Sequence, residues 1–205
     1  VTFTDEELNE YVKNIGKTSL SGPDAAIFNT SSVDASKLSP KEKIEYISIL
    51  VSGKPTDDYQ YYVISESDVK AAVEKVYGPG TYERTTYNVG CGDHVYNEED
   101  GKYYSHTGCG GTTATAVSNV VIDYKATNKK LEITTAYVFS FGGTNKLYKD
   151  YDLKNAIGDF ENTGDLMNYL TNYVKEHKDS LNHIVYTFES KDGKNYYFTG
   201  FTNNK

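Results

Sequence analysis

Leu131-Glu132-Ile133-Thr134-Thr135-Ala136-Tyr137-Val138-Phe139-Ser140-Phe141 is the stretch that decides the fold class. Leu131, Ile133, Tyr137, Phe139 and Phe141 fall on one side, and Glu132, Thr134 and Ser140 on the other. This period of two marks a strand with one covered face. The polar run 126–130 before it reads as a turn from an earlier strand. The same alternation holds through most of the chain beyond Gly80, with strands expected near 82–89, 91–98, 102–109, 114–125, 131–141, 183–190 and 194–202.

Ahead of Gly80 the apolar period is helical. Thr4-Asp5-Glu6-Glu7 is a capping box followed by Leu8, Tyr11, Val12 and Ile15, so a helix is expected over 5–15. Ser39-Pro40-Lys41-Glu42 repeats the device with proline at the first helical position, which predicts a helix over 40–51 ended by Gly53 and Pro55. Ser67 opens a third, with Val69, Ala72, Val73 and Val76 on one side and Gly78-Pro79-Gly80 after it. The run 17–38 is small and polar apart from residues 25–28 and reads as a long loop or linker. Among the strands one helix returns, with Asn162 or Thr163 as cap and Leu166, Leu170, Tyr173, Val174 and His177 on one face. Helices first and mainly antiparallel strands later define an α+β fold with a curved sheet. The length suits a single domain over 1–205, with 1–55 as a candidate helical appendage on a 56–205 core.

The 205 residues carry a net charge of -8, and no Lys/Arg stripe is present that would neutralise a run of phosphates, which disfavours nucleic acid as a partner. No apolar run approaches the roughly 20 residues of a membrane span. Tyrosine is the compositional outlier, at 20 residues with no tryptophan. Its ring packs while its hydroxyl stays wet or bonded, which suits half-exposed sheet faces.

The two cysteines sit in a symmetrical context, Gly90-Cys91-Gly92 and Gly108-Cys109-Gly110. A three-residue turn through Glu99-Asp100-Gly101 sets Tyr96 opposite Tyr104, Glu98 opposite Lys102, His94 facing His106 and Cys91 opposite Cys109. Opposed residues of an antiparallel pair are close enough for a disulfide, which would stabilise the fold by on the order of 3 kcal/mol. Two other readings remain open. Cys91-x-x-His94 and His106-x-x-Cys109 have zinc-like half-spacings, although strand alternation would separate the cysteines from the histidines unless a bulge intervened. Cys109 could also be a catalytic thiol, with His106 or His94 as its base.

Carboxylates are numerous but scattered, and neither a P-loop, a dinucleotide glycine fingerprint, a Gly-x-Ser-x-Gly elbow nor a His-Glu-x-x-His helix occurs. No catalytic residue, metal ligand set or cofactor is assigned. The candidate binding residues are His94, His106, Tyr96, Tyr103, Tyr104 and Tyr197, on two tyrosine hairpins that echo each other at Asp100-Gly101-Lys102-Tyr103-Tyr104 and Asp192-Gly193-Lys194-Asn195-Tyr196-Tyr197. The competing explanation for such tyrosines is packing, for instance Phe188 opposite Tyr196 and Tyr186 opposite Phe198. Two function classes follow. One is a non-enzymatic module that contacts a protein, peptide or glycan through exposed tyrosines. The other is a pocket inside a curved sheet that binds or converts a small molecule.

Residues 91–112, ending Gly108-Cys109-Gly110-Gly111-Thr112, resemble uncharacterised anchored or lipoprotein domains of low-GC Gram-positive bacteria. The run from Tyr186 to Phe198 is similar to their C-terminus. The resemblance implies export and carries no activity. Together with an even cysteine count and a start at Val1, it leads to the expectation of an extracytoplasmic chain whose export signal or anchor precedes Val1. The helices-then-sheet order also resembles cystatin-like and NTF2-like cone folds, an analogy of fold alone.

Overall fold

In the computed structural model, which describes residues 1–17, 25–90, 92–107, 115–141, 144–161 and 164–205, the N-terminal capping signals act as their sequences require. Glu7 N–H donates to the Thr4 hydroxyl at 3.2 Å and Thr4 N–H to the Glu7 carboxylate at 2.8 Å, starting α1 (Asp5–Lys13), which buries Leu8 and Val12. Ser39 and Glu42 repeat the exchange at the start of α3 (Pro40–Glu45), while α2 (Ala25–Asn29) lies inside the run expected to be a loop.

The helix expected over 40–51 is two helices. Gly16 N–H takes the Tyr46 carbonyl at 2.7 Å, and the Gly16 carbonyl accepts both the Ser48 N–H at 3.3 Å and its hydroxyl at 3.0 Å. These bonds take the Tyr46 carbonyl and the Ser48 N–H out of helical pairing, and α4 (Ser48–Val51) restarts there. The next helix, α5 (Glu66–Tyr77), is capped by Ser65 rather than Ser67, with Asp68 N–H on the Ser65 hydroxyl at 3.1 Å. In α6 (Leu166–His177) the cap is Asp165, whose carboxylate accepts Asn168 N–H at 3.1 Å; Asn162 and Thr163 lie outside the described residues.

The larger sheet is built on β8 (Lys130–Phe141), the decisive stretch of the sequence. One long edge of β8 pairs with β7 (Thr115–Ala126). Its other edge is shared: β11 (Asn182–Glu189) takes residues 130–137 and β9 (Lys146–Tyr148) takes 139–141. Outward from these lie β12 (Tyr197–Asn204) and β1 (Ser32–Asp34) beyond β11, and β10 (Ala156–Asp159) beyond β9. Leu131, Ile133, Tyr137 and Phe139 are buried on one side, among Leu8, Phe28, Ile44, Val73, Tyr186 and Phe201 of the main core. Ala136 and Val138 face the other way, onto Leu170 and Val174 of α6. Phe141, expected on the covered face, is 39% exposed at the strand end. Residues from the first 55 thus share one core with the sheet, and β1, in the run expected to be a linker, is hydrogen-bonded into it.

A register shift at Ile122 of β7 has a clear cause in the sequence. Val117 and Val121 face the main core and Ala116, Val120 and Ile122 face α6; after the shift Tyr124 and Ala126 return to the main core. Without the extra residue Asp123 and Lys125 would point into it, because strand parity is strict. The second tyrosine hairpin also departs from expectation, since Phe188 pairs with Phe198 and Tyr186 with Phe201. The Asp192 carboxylate widens that turn by accepting from the N–H groups of Lys194 and Asn195, both at 2.8 Å, and from the Ser190 hydroxyl at 3.0 Å. These bonds hold its carboxyl well below the usual range. Tyr186, Phe188, Tyr196 and Phe198 are all buried, so this hairpin follows the packing explanation.

The smaller sheet has the order β2 (Lys54–Pro55), β3 (Tyr61–Ser65), β6 (Lys102–His106), β5 (Gly92–Asn97) and β4 (Tyr87–Val89). Every strand pair among the described residues is antiparallel.

Candidate functional site

Five of the six candidate residues lie on the β5–β6 hairpin, and the turn between its strands decides which of them reach solvent. Val95 pairs with Tyr104, Tyr96 with Tyr103 and Asn97 with Lys102, so the loop is Glu98–Gly101, one residue longer than expected. Side-chain bonds select the longer loop. Asn97 Oδ1 accepts Glu99 N–H at 2.9 Å, Asp100 Oδ1 accepts Lys102 N–H at 3.2 Å, and Gly101 N–H closes on the Asn97 carbonyl at 3.0 Å. A one-residue slip exchanges the faces of one strand relative to the other. Tyr96 therefore shares a face with Tyr103, and the expected pair of facing histidines does not form: His94 is buried and His106 is exposed on the opposite side. Cys91 and Cys109 lie outside the described residues. Among the described residues no cluster of three or more His, Cys, Asp or Glu side chains could hold a metal ion.

The inner face of the small sheet is a packed aromatic layer. Tyr87 and His94 stack at 4.8 Å with rings 12° apart, and Tyr103 meets Tyr87 edge-on at 5.1 Å. The Tyr87 hydroxyl donates to the Val51 carbonyl at 2.7 Å, and His94 Nε2 lies 3.0 Å from the Ser52 carbonyl, a contact that places the proton on Nε2. Tyr103 reaches outward through its hydroxyl alone. It accepts from Thr85 N–H at 3.4 Å and donates at 2.7 Å to Tyr82, which donates at 2.9 Å to Glu66. Arg84 grips the same carboxylate through two bonds, at 2.6 and 2.8 Å, and lies 3.8 Å from the centre of the Tyr96 ring. Tyr96, His94 and Tyr103 are thus occupied in holding the 82–87 segment and α4 to the hairpin.

Burial pushes the His94 pKa below its ordinary 6.5. Below about pH 6.5 the unfolded chain takes up a proton that the native ring refuses, so stability falls as pH drops through the interval down to the native pKa. The slope attributable to His94 is at most about 1.4 kcal/mol per pH unit. Urea midpoints measured at pH 7.5 and 5.5 should differ less in His94→Gln than in the wild type. Equal differences would mean that His94 is not the group responsible.

The outer face is different in kind. Tyr61 pairs with His106, Val63 with Tyr104, and Tyr104 in turn with Val95, so these five side chains stand together on the side away from the core. Val95 is 53% exposed, and Tyr61 contacts His106 at 4.6 Å and Tyr104 edge-on at 5.9 Å. The Tyr104 hydroxyl donates to Asp100. Beside this cluster Tyr59 is 73% exposed and sits at φ 57°, in the left-handed region that tyrosine rarely enters. Its carbonyl accepts from the Thr107 hydroxyl, and Thr107 N–H donates to the Gln60 carbonyl at 3.0 Å, which ties the turn to the end of β6. Tyr59 and Tyr61 were not among the candidates. The run Tyr61-Tyr62-Val63-Ile64 before the Ser65 cap was the available signal, too short to reveal which of its sides is covered.

Tyr197, the sixth candidate, lies apart on β12. It is half-buried, packs over Gly78 and lines an open cavity of about 460 Å³ with Phe3, Tyr11, Glu7, Lys75 and Lys194. No helix among the described residues is long and apolar enough to cross a membrane. No family model, curated protein or solved structure matches the chain.

Proposed function

We propose that this chain is a non-enzymatic extracytoplasmic binding module, and that the outer face of the small sheet contacts a protein, peptide or glycan at the cell surface. The observation that carries this reading is the cluster of Tyr61, Tyr104, His106 and Val95 on the sheet face turned away from the core, where Val95 and His106 are exposed and the two tyrosines half-exposed. Ring faces that keep a polar tip in water provide contact area at low entropic cost, which is why tyrosine is favoured at recognition surfaces. Tyr59 supports it independently, since a left-handed non-glycine residue costs on the order of 1 kcal/mol and tends to persist where the side chain has a use.

Two variants test the reading. Tyr59→Gly relieves the backbone and is expected to raise stability by about 1 kcal/mol while weakening binding. Tyr61→Ser with Tyr104→Ser is expected to lower the melting temperature by only a few degrees, since cross-strand aromatic pairs contribute roughly 0.2–1 kcal/mol each, and to weaken binding by about tenfold or more, the effect of losing a central aromatic contact. Binding would be read on a glycan array and on whole cells of a low-GC Gram-positive bacterium. Equal binding by the wild type and the double variant, or none by either, would refute the proposal.

The second reading, a small-molecule site, is favoured by the cavity beside Tyr197, where aromatic rings and charges of both signs converge within a volume typical of ligand sites. A fragment screen by NMR that shifts Tyr11 and Tyr197 but leaves Tyr61 unmoved would support this reading over the first.

A further inference from the structure

The outer edge of β7 has no strand partner among the described residues. An edge strand leaves a row of main-chain donors and acceptors unpaired, and natural proteins blunt such edges with charges, proline or bulges. Here the protection covers only half of the strand. The bulge at Ile122, with Asp123 and Lys125, guards the C-terminal part, whereas Thr115–Val121 contains no charged residue and no proline.

The unguarded half is the part that opens into a groove. A cavity of about 560 Å³ runs along residues 117–121, with α1 and α4 on one side and α6 on the other. Its walls expose apolar groups on both sides of the sheet: Ile49 is 66% and Met167 49% exposed. Successive side chains of a strand point to opposite faces, so one added strand would place alternate residues against Ile49 and against Met167. Helices flanking both sides leave room for a single extended chain rather than for the flat edge of another domain. Lys175 also lines the groove and has no ion-pair partner among the described residues, while Asp5 is compensated by its place in the first turn of α1.

We propose that this groove receives an extended segment of a partner polypeptide, which adds to the large sheet along Val117–Val121 and sets a carboxylate against Lys175. Main-chain hydrogen bonds supply affinity, and the pockets for alternate side chains supply selectivity. The chain's overall charge of -8 slows the approach of an acidic segment, but screening over about 10 Å leaves the contact with Lys175 favourable. The groove and the aromatic face lie on different sheets, so failure of one leaves the other intact.

Amide hydrogen exchange on the intact chain is the first test. Alternate amides of Val117–Val121 are expected to exchange rapidly in the free protein, and uniformly slow exchange there would overturn the proposal. Random phage-displayed peptides of about ten residues, the length of a long strand, are then selected on the wild type and counter-selected on the double variant Ile49→Lys, Met167→Lys. Both positions are exposed, and unchanged melting would confirm that the variant folds. The expected winners lack proline, are rich in β-branched residues and carry Asp or Glu. The synthetic peptide of the commonest sequence should slow the same β7 amides and bind the double variant about tenfold or more weakly. Absence of enrichment over the variant, or protection confined to other amides, would sink the idea. Protein-concentration-dependent dimerisation that protects these amides without any peptide would assign the edge to a second copy instead.

Discussion

Asn203→Leu is expected to lower stability by on the order of 4 kcal/mol, although the substitution keeps the side-chain volume roughly constant and makes it apolar. Asn203 is buried near the end of β12 and makes three bonds with its amide. Oδ1 accepts from the Tyr137 hydroxyl at 2.9 Å, and Nδ2 donates to the carbonyls of Ile27 at 3.2 Å and Phe28 at 3.1 Å. Leucine strands a hydroxyl and two carbonyls in the core, and each buried polar group without a partner costs roughly 1–3 kcal/mol. The consequence extends to packing, since these bonds hold α2 where Phe28 lies 4.6 Å from the Tyr137 ring and 5.2 Å from Phe139. Denaturation by urea should show a lower midpoint, and the melting temperature should fall by about 8–16 °C for a domain of this size. A change below about 1 kcal/mol would mean that water replaces the amide and that α2 is not tied to the sheet through Asn203.

Gly200→Ala is the second large effect, and its sign is what makes it informative. Glycine inside a strand normally costs about 0.5–1 kcal/mol relative to alanine, so an unobstructed site would be stabilised by the change. At Gly200 the added Cβ would sit well inside 3.0 Å of the Val33 carbonyl oxygen, and that neighbour is backbone that cannot rotate away. Gly200 pairs with Asp34, and Val33 with Phe201, so relieving the clash means displacing β1 from the sheet edge. A loss of about 3 kcal/mol is expected, in the range of overpacked cores. Amides of Ser32–Asp34 and of Phe201 should exchange faster than those of β11. A neutral or stabilising result would show that β1 is not held against β12 as described.

The two substitutions bear on the same link, between the N-terminal helices and the sheet. Asn203 and Gly200 both act at β12, the strand on which β1 docks and beside which α2 packs. Neither residue stood out in the sequence. An asparagine near a chain end reads as a surface residue, and a glycine among Tyr197-Phe198-Thr199-Gly200-Phe201 reads as a weak point in a strand.

How legible the fold was depended on the reach of the forces involved. Capping boxes at Thr4 and Ser39 and the alternation along β8 act within a few residues, so the starts of α1 and α3 and the position of β8 were readable, as was the α+β class. The helix over 40–51 divides because Gly16, far away in sequence, takes the Tyr46 carbonyl. The short strands β1, β3, β9 and β10 have too few residues to show a period and exist because a neighbouring edge was open to them.

The sequence by itself determined the α+β class, the capped starts of α1 and α3 and the alternation along the long strands. It also marked tyrosine as the compositional outlier, with packing and exposure both open. Only the tertiary structure decided which tyrosines face solvent. A strand's faces are equivalent until something covers one, and hairpin register, which joins one strand's parity to the next, turns on a single loop residue. With Asn97 and Asp100 bonding the loop into the longer form, Tyr103 goes to the core while Tyr104 and His106 join Tyr61 outside.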